Sequence, residues 1–371
     1  MTRPQAIPAL TSIRGIAAWW VVLYHFREHL PSRCPEWLLA LTAHGYLAVD
    51  LFFILSGFVL ALNYVESLPG NLAGATGFYR LRFARIYPLH FVILMLFLLN
   101  PLAIALFSAS GDTSLYRWDY FVLSLFLVQN WGFTTELAWN VPAWSISTEA
   151  FAYLFFPLAA VVMRRGIVTA SSTLLVMAAL LIVLATQAMD GSLGGDITGF
   201  GLTRCSLEFL LGMMVWRLRD RLGFATPRLS QAAILLAAGF SLAYALLPIG
   251  DALVMPAAFA LLVFGLADPL ARPGIWLNAR WLETLGLISY STYLSHHFIS
   301  DWVKFLLVRP SIPGWIPLPA YLILVALASI ALYRMVEVPA RDWLRSLGGQ
   351  RAVGKFTRCS KNKQQARSGP H

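Results

Sequence analysis

Long apolar stretches recur along the whole chain and are separated by short polar segments. Ten of these stretches are long enough to cross about 30 Å of hydrocarbon as α-helices. We predict spans near residues 8–26, 46–64, 86–107, 143–163, 167–189, 202–218, 229–247, 252–268, 284–306 and 317–337. A shorter stretch from Tyr120 to Trp131 predicts a re-entrant or interfacial helix. The pattern therefore predicts an all-α, multi-pass integral membrane protein.

The composition of the 371 residues supports a membrane protein. Hydrophobic residues make up 58% of the chain and charged residues 12%. A soluble helical protein needs a polar face on most of its helices, whereas the long stretches here are apolar on all faces. No cleavable signal peptide is evident, because Arg14 interrupts the first apolar stretch. The cysteines Cys34, Cys205 and Cys359 lack metal-ligand spacing, so we predict neither a disulfide framework nor a metal site.

Basic residues collect in alternate connections between the predicted spans. Arg164 and Arg165 are one such group, and Arg80, Arg82 and Arg85 are another. Since Lys and Arg favour cytoplasmic loops, this distribution predicts that both termini are cytoplasmic. The net charge of +10 then reflects topology and anionic lipid headgroups rather than nucleic-acid binding. We predict one membrane domain over 1–347 and a basic, disordered cytoplasmic tail over 348–371.

Ionisable residues inside the predicted spans carry the functional information. Arg14 and His25 share one face of the first span, about 16 Å apart along the helix axis at 1.5 Å per residue. In the predicted topology His25 lies at the outer end, at the depth of Asp50, Glu149 and His296. A titratable imidazole oriented by Asp50 or Glu149 suits general acid–base chemistry. Two other interpretations stay open: ion pairs that only hold helices together, which we favour for His297 on its own, and a proton-coupled transporter of a polar or acylated compound.

A second polar motif, FYRLRFARIYPLH, begins at Phe78 on the predicted cytoplasmic side. Its arginines, Arg80, Arg82 and Arg85, can fork onto phosphates while neighbouring aromatic rings stack on a planar base. A helix beginning near Pro88 would add a positive N-terminal dipole. The motif therefore fits a nucleotide-containing ligand, although composition alone favours a basic flank that only sets topology.

These motifs, taken in order, resemble the acyltransferase-3 family of integral membrane acyltransferases. An arginine and a histidine eleven positions apart open the pattern, as Arg14 and His25 do here. The later blocks are GYLAVDLFFILSGFVL, FYRLRFARIYPLH, VPAWSISTEAFAYLFFP, RCSLEFLLGM, LISYSTYLSHHF and VEVPARDWL. The resemblance covers residues 7 to about 345. The extra extracytoplasmic domain of many relatives is absent from this sequence.

The resemblance implies transfer of an acyl group, commonly acetyl, from cytoplasmic acyl-coenzyme A to a hydroxyl group. It implies that acyl-CoA is a substrate rather than a permanently bound cofactor. It also implies that the acceptor is a glycan, a glycolipid or a small hydroxylated compound, and that the protein resides in the bacterial inner membrane. His25 corresponds to the catalytic histidine and Arg14 to its motif partner, whereas Arg80, Arg82 and Arg85 correspond to the donor-phosphate segment. Glu149 corresponds to the family's acidic residue.

Asp50 completes our predicted catalytic set, and four residues are expected to line the site: Arg204, Glu208, His296 and Trp144. Trp144 could stack on a sugar ring or belong to the aromatic belt at the membrane interface. The pantetheine arm is long enough to carry the thioester from the cytoplasmic arginines past Arg14 to His25. Direct transfer and an acyl-histidine intermediate both remain possible. The oligomeric state stays open.

Overall fold

The computed structural model describes residues 7–30, 34–69, 71–107, 112–164, 192–223, 226–271 and 276–346. Within these ranges the regular structure is helical and no β-strand occurs. The helices are α1 Pro8–Phe26, α2 Glu36–Ala43, α3 Ala48–Leu60, α4 Leu72–Phe97, α5 Leu99–Phe107, α6 Trp118–Leu125, α7 Trp144–Arg164, α8 Ile197–Leu222, α9 Pro227–Leu246, α10 Asp251–Leu266, α11 Arg280–Leu307, α12 Pro317–Leu332 and α13 Val338–Ser346. One π-helical turn extends α3 over Ala61–Val65, and another joins α12 to α13 over Tyr333–Glu337. The predicted all-α architecture is confirmed.

Five helical segments among the described residues are long and apolar enough to cross a membrane. They are Glu36–Val65, Leu72–Phe107, Val141–Arg164, Pro227–Leu246 and Pro317–Leu344, and Asp251–Leu266 is apolar but shorter. The predicted span 167–189 and the basic tail lie outside the described residues. Helices α1, α8 and α11 are not among the five, and they carry the polar residues Arg14, Arg204 and His296.

Two glycines bring α1 and α11 into backbone contact. A Cβ atom on Gly15 would lie 2.6 Å from the backbone nitrogen of Gly286, and a Cβ on Gly286 would overlap the carbonyl group of Thr11. The two helices run parallel, since His25 and His296 also lie side by side and each follows its glycine by ten residues. Small residues allow this close approach in membrane helix pairs. The register of the pair therefore fixes which histidines meet.

A second close pair forms between α3 and α8. A Cβ on Gly57 would overlap the carbonyl oxygen of Phe209, and a Cβ on Gly212 would overlap that of Ile54. In the apolar 18-residue window of Glu36–Val65, 72% is buried inside the protein. In the corresponding window of Pro227–Leu246, the buried share is 17%. Helix α3 is therefore central, whereas α9 lies at the periphery.

The structure corrects the predicted start of one helix. Helix α4 begins at Leu72, capped by the Asn71 side chain, which accepts a hydrogen bond from the Gly74 N–H at 2.9 Å. It continues through Pro88 instead of starting there. Prolines are tolerated inside membrane helices because neighbouring groups compensate for the missing backbone hydrogen bond. Helix α6 has eight residues and is about 12 Å long at 1.5 Å per residue, which is too short to span a bilayer.

Candidate active site

An internal cavity of about 130 Å³ lies between α1, α3, α4, α7 and α11. Its polar lining combines three guanidinium groups, one carboxylate and several hydroxyl groups. These are Arg14, Arg82, Arg85, Glu149, Ser56, Ser145, Ser289, Tyr153, Tyr290 and Tyr293. Residues from three sequence motifs thus line one cavity: the motif of Arg14, FYRLRFARIYPLH and VPAWSISTEAFAYLFFP. The excess of positive charge suits an anionic or strongly polarised ligand.

Glu149 is held in the cavity by two hydroxyl groups. The Ser56 hydroxyl and the Tyr153 hydroxyl each donate a hydrogen bond to Glu149 Oε1 at 2.5 Å. Tyr153 follows Glu149 by one helical turn, so it lies on the same face of α7. Sequence analysis missed both partners, although the spacing between Glu149 and Tyr153 could have revealed one of them. The two hydrogen bonds fix the carboxylate facing the arginines.

The three cavity arginines have different partners. Arg14 Nη2 donates to the Ser289 hydroxyl at 3.3 Å, and Arg82 Nη2 donates to the Tyr64 hydroxyl at 3.0 Å. Arg85 forms an ion pair with the buried carboxylate of Glu337, more than 250 positions later in the chain. Arg14 and Arg82 therefore face Glu149 without a described ion pair of their own, whereas Arg85 is already neutralised.

Arg80 does not line the cavity. It was expected to act with Arg82 and Arg85, but all three lie inside α4 and not in a loop. Two helical steps turn the side-chain direction by about 200°, so Arg80 and Arg82 point to opposite sides of the helix. The expected cluster of three arginines is therefore corrected to two.

His25 lies in a group of three imidazoles at the end of α1. Its ring centroid is 5.0 Å from that of His296 and 5.5 Å from that of His297, and the Tyr24 ring lies 4.9 Å away. His296 Nδ1 lies 2.5 Å from the carbonyl oxygen of Tyr293. Because a carbonyl oxygen can only accept, Nδ1 carries the proton in the neutral ring, and His296 Nε2 keeps a lone pair without a described partner. His25 and His296, which we predicted to lie at the same depth in the membrane, are thus in direct contact.

Neither predicted carboxylate orients His25, which is a correction to the sequence-based assignment. Asp50 accepts two hydrogen bonds from Arg204, at 2.6 Å to Nε and 2.7 Å to Nη2, and both side chains are buried. Glu149 is held by Ser56 and Tyr153 in the cavity. The close crossing of α3 and α8 explains why Asp50 meets Arg204 instead of the histidine.

Glu208 and Trp144 belong to the surroundings of this buried ion pair. Glu208 is fully buried beside Asp50. The Trp144 ring centroid lies 5.6 Å from the Arg204 guanidinium carbon, and the ring is 5% exposed. Trp144 therefore packs on a cation inside the protein instead of presenting a face to a sugar or to the membrane interface.

Tyr293 separates the cavity from the histidine group. It lines the cavity, and its ring centroid lies 5.8 Å from that of His296 on the opposite side. The Tyr293 hydroxyl is hydrogen-bonded to the Ser145 hydroxyl at 2.8 Å and to the Pro142 carbonyl oxygen at 3.0 Å. The candidate site thus has two adjacent parts, a charged cavity and a histidine group. Tyr293 of the cavity contacts His296 of the histidine group.

Comparison with known proteins identifies the family of the chain. The model of the acyltransferase domain of the acyltransferase-3 family matches residues 7–334. The acyltransferase MdmB of Streptomyces mycarofaciens is 29% identical over 319 residues, which cover 80% of each chain. The O-acetyltransferase OatA of Staphylococcus aureus is 23% identical over 370 residues, covering 92% of this chain and 58% of OatA. No solved structure matches the chain. With the apolar helices, these matches show that the chain belongs to the acyltransferase-3 family and is a membrane acyltransferase.

Proposed function

We propose that this enzyme transfers an acetyl group from cytoplasmic acetyl-CoA to a hydroxyl group of an acceptor on the other side of a bacterial inner membrane. The acceptor is a glycan, a glycolipid or a small hydroxylated compound. The proposal includes ten spans with both termini in the cytoplasm. One observation carries it: Arg14, Arg82 and Glu149 converge on one cavity, and the cavity residue Tyr293 packs against His296, which contacts His25.

The donor occupies the charged cavity in this proposal. Arg82 meets the phosphates of the coenzyme at the cytoplasmic end, because its guanidinium group has no carboxylate partner among the described residues. Arg14 lies on the route of the pantetheine arm, and its positive charge attracts the anionic donor into the cavity. Glu149, fixed by Ser56 and Tyr153, balances part of the positive charge of the cavity while no donor is bound.

His25 acts on the acceptor. Its imidazole takes the proton from the attacking hydroxyl group, the oxygen bonds to the thioester carbonyl carbon, and the carbon–sulfur bond breaks. The coenzyme leaves as a thiolate and takes up the proton, so the products are an ester and free coenzyme A. His296 positions His25, since its Nδ1 is anchored on the Tyr293 carbonyl oxygen. An acyl-histidine intermediate on His25 would give the same products.

Reconstitution of the purified protein in proteoliposomes tests the proposed reaction. Acetyl-CoA labelled in the acetyl group is supplied on one side, and extracts of envelope glycans and small metabolites are supplied on the other. We expect one free coenzyme A for each labelled ester formed, and mass spectra of the acceptor fraction that gain one acetyl mass. Movement of a labelled compound across the bilayer without release of coenzyme A would contradict the enzyme and support a transporter.

A further inference from the structure

A second pocket lies beyond the histidine group, on the face that α5 and α11 share. Its polar and aromatic lining comes from Asn100, Tyr116, Asp301, Trp302 and Phe305, and its volume is about 130 Å³. None of these residues belongs to the charged cavity. Asp301 follows His297 by one turn of α11, about 6 Å along the axis. The pocket is therefore adjacent to the histidines but separate from the donor cavity.

Asn100 holds the polar groups of this pocket in fixed positions. The Asn100 side-chain amide donates to Asp301 Oδ2 at 2.9 Å and to the Tyr116 hydroxyl at 3.1 Å. Its carbonyl oxygen accepts from the Trp302 indole N–H at 3.0 Å. These bonds use the hydrogen-bonding groups of the buried amide and orient a carboxylate, a phenol and an indole ring around one space. A site whose side chains are already fixed loses little entropy when a ligand binds.

Two of these groups keep unused hydrogen-bonding capacity. Asp301 Oδ1 makes no hydrogen bond within the described part of the chain, and the Tyr116 hydroxyl accepts from Asn100 and still has its own proton to donate. The flat faces of Trp302 and Phe305 lie beside them, and Phe305 is exposed at the rim. A carboxylate acceptor, a hydroxyl donor and an aromatic face together match the alternating hydroxyl groups and the apolar ring face of a sugar.

We propose that this pocket binds a pyranose ring of the acceptor and holds the acceptor beside the histidine group. The role of the pocket in catalysis rests on the proposed function. The proposal narrows the acceptor to a sugar-containing compound. A pyranose ring is comparable in length with the helical turn between Asp301 and His297, whose imidazole centroid lies 5.5 Å from that of His25. A ring held by Asp301 and Trp302 therefore extends to His297, and the adjoining part of the acceptor extends to His25.

Direct binding tests the pocket without requiring turnover. Saturation-transfer NMR is recorded on the full chain in nanodiscs with the methyl pyranosides of glucose, galactose, mannose and N-acetylglucosamine, and with cyclohexanol as a ring with a single hydroxyl group. We expect at least one pyranoside, but not cyclohexanol, to give a signal. The signal should be lost in Asp301→Asn and Trp302→Ala and kept in Trp315→Ala, whose tryptophan is exposed outside the pocket. Absence of pyranoside binding, or binding that persists in both pocket variants, would overturn the proposal.

Kinetic measurements with a pyranoside acceptor test the pocket independently of the proposed reaction. Asp301→Asn preserves the shape of the side chain and should raise the acceptor KM by about tenfold to a hundredfold, leaving the acetyl-CoA KM unchanged. A purely structural role would lower thermal stability without this selective change. Acetyl transfer with an unchanged acceptor KM in Asp301→Asn would refute the pocket and leave the enzyme intact. Absence of any acetyl-CoA turnover by the wild-type chain would refute the reaction, whereas the binding result would still decide the pocket.

Discussion

The imidazole rings of His25 and His296 lie with their centroids 5.0 Å apart, at the same distance from a glycine contact on two parallel helices. Gly15 and Gly286 let the backbones of α1 and α11 touch ten residues before the histidines. This backbone contact fixes the register in which the two helices pack. The position of the proposed base is therefore set by residues about 15 Å away along the helix at 1.5 Å per residue.

Replacement of Gly15 by alanine should destabilise the protein and slow acyl transfer. The added methyl group would lie 2.6 Å from Gly286 N and 2.7 Å from the Leu285 carbonyl carbon, and backbone atoms cannot yield as a flexible side chain can. Such overpacking costs about 1 to 3 kcal/mol. We expect a lower unfolding temperature in detergent and a reduced transfer rate.

Gly239→Ala is the matched control for this substitution. Gly239 also lies inside a helix, α9, but a Cβ atom there would meet nothing within 4 Å. Alanine at that position should leave stability unchanged or raise it by about 0.5 to 1 kcal/mol, since glycine is unfavourable inside helices. Equal effects of the two substitutions would contradict the role of close packing at Gly15.

His25→Gln should abolish most transfer while the protein remains folded. Loss of a general base typically costs a factor of about 10² to 10⁴ in rate. The measurement is ester formation at saturating acetyl-CoA, together with the elution profile and melting curve of the purified variant. His29→Gln is the control, because His29 lies in the short turn that follows α1 and outside the histidine group. A folded His25→Gln protein with near-normal transfer would exclude His25 as the base.

Sequence patterns predicted the helical architecture and the proximity of His25 and His296. Both predictions depend on the hydrophobic segments and the loop charges, which can be identified from neighbouring residues in the sequence. These patterns could not identify the partners of Asp50. The Gly57 and Gly212 contact brings α8, and Arg204 with it, against the side of α3 that carries Asp50. Which helices touch depends on packing between segments about 150 positions apart, and a single sequence does not contain that information.

A misplaced helix start explains the error at Arg80. A helix beginning near Pro88 would leave the three preceding arginines in a loop, where all three could converge on one ligand. The Asn71 cap instead starts the helix before them, so helical geometry separates Arg80 from Arg82. Proline is a strong helix breaker in water, whereas this apolar helix continues through it.

This difference between Arg80 and Arg82 gives a matched pair of substitutions. Arg82→Gln should raise the KM for acetyl-CoA by about tenfold to a hundredfold, since a hydrogen bond to a charged group contributes about 1.5 to 3 kcal/mol. Arg80→Gln removes the same charge from the same helix and should leave that KM unchanged. Initial rates at several donor concentrations measure both values. A similar rise in both variants would indicate a general effect of charge and not a contact with the donor.

The ion pair of Asp50 and Arg204 should stabilise the fold without taking part in the reaction. Removing one partner of a buried ion pair costs about 3 to 5 kcal/mol, because the other charge stays buried without compensation. Arg204→Met should be more damaging than Asp50→Leu, since it leaves Asp50 and Glu208 together, whereas Asp50→Leu leaves Glu208 to face Arg204. The double variant Asp50→Leu, Arg204→Met should unfold at a higher temperature than Arg204→Met alone and should retain acyl transfer. If Asp50 were the partner that orients His25, the double variant would be folded but inactive, so a melting curve and a transfer assay on the same preparation distinguish the two roles.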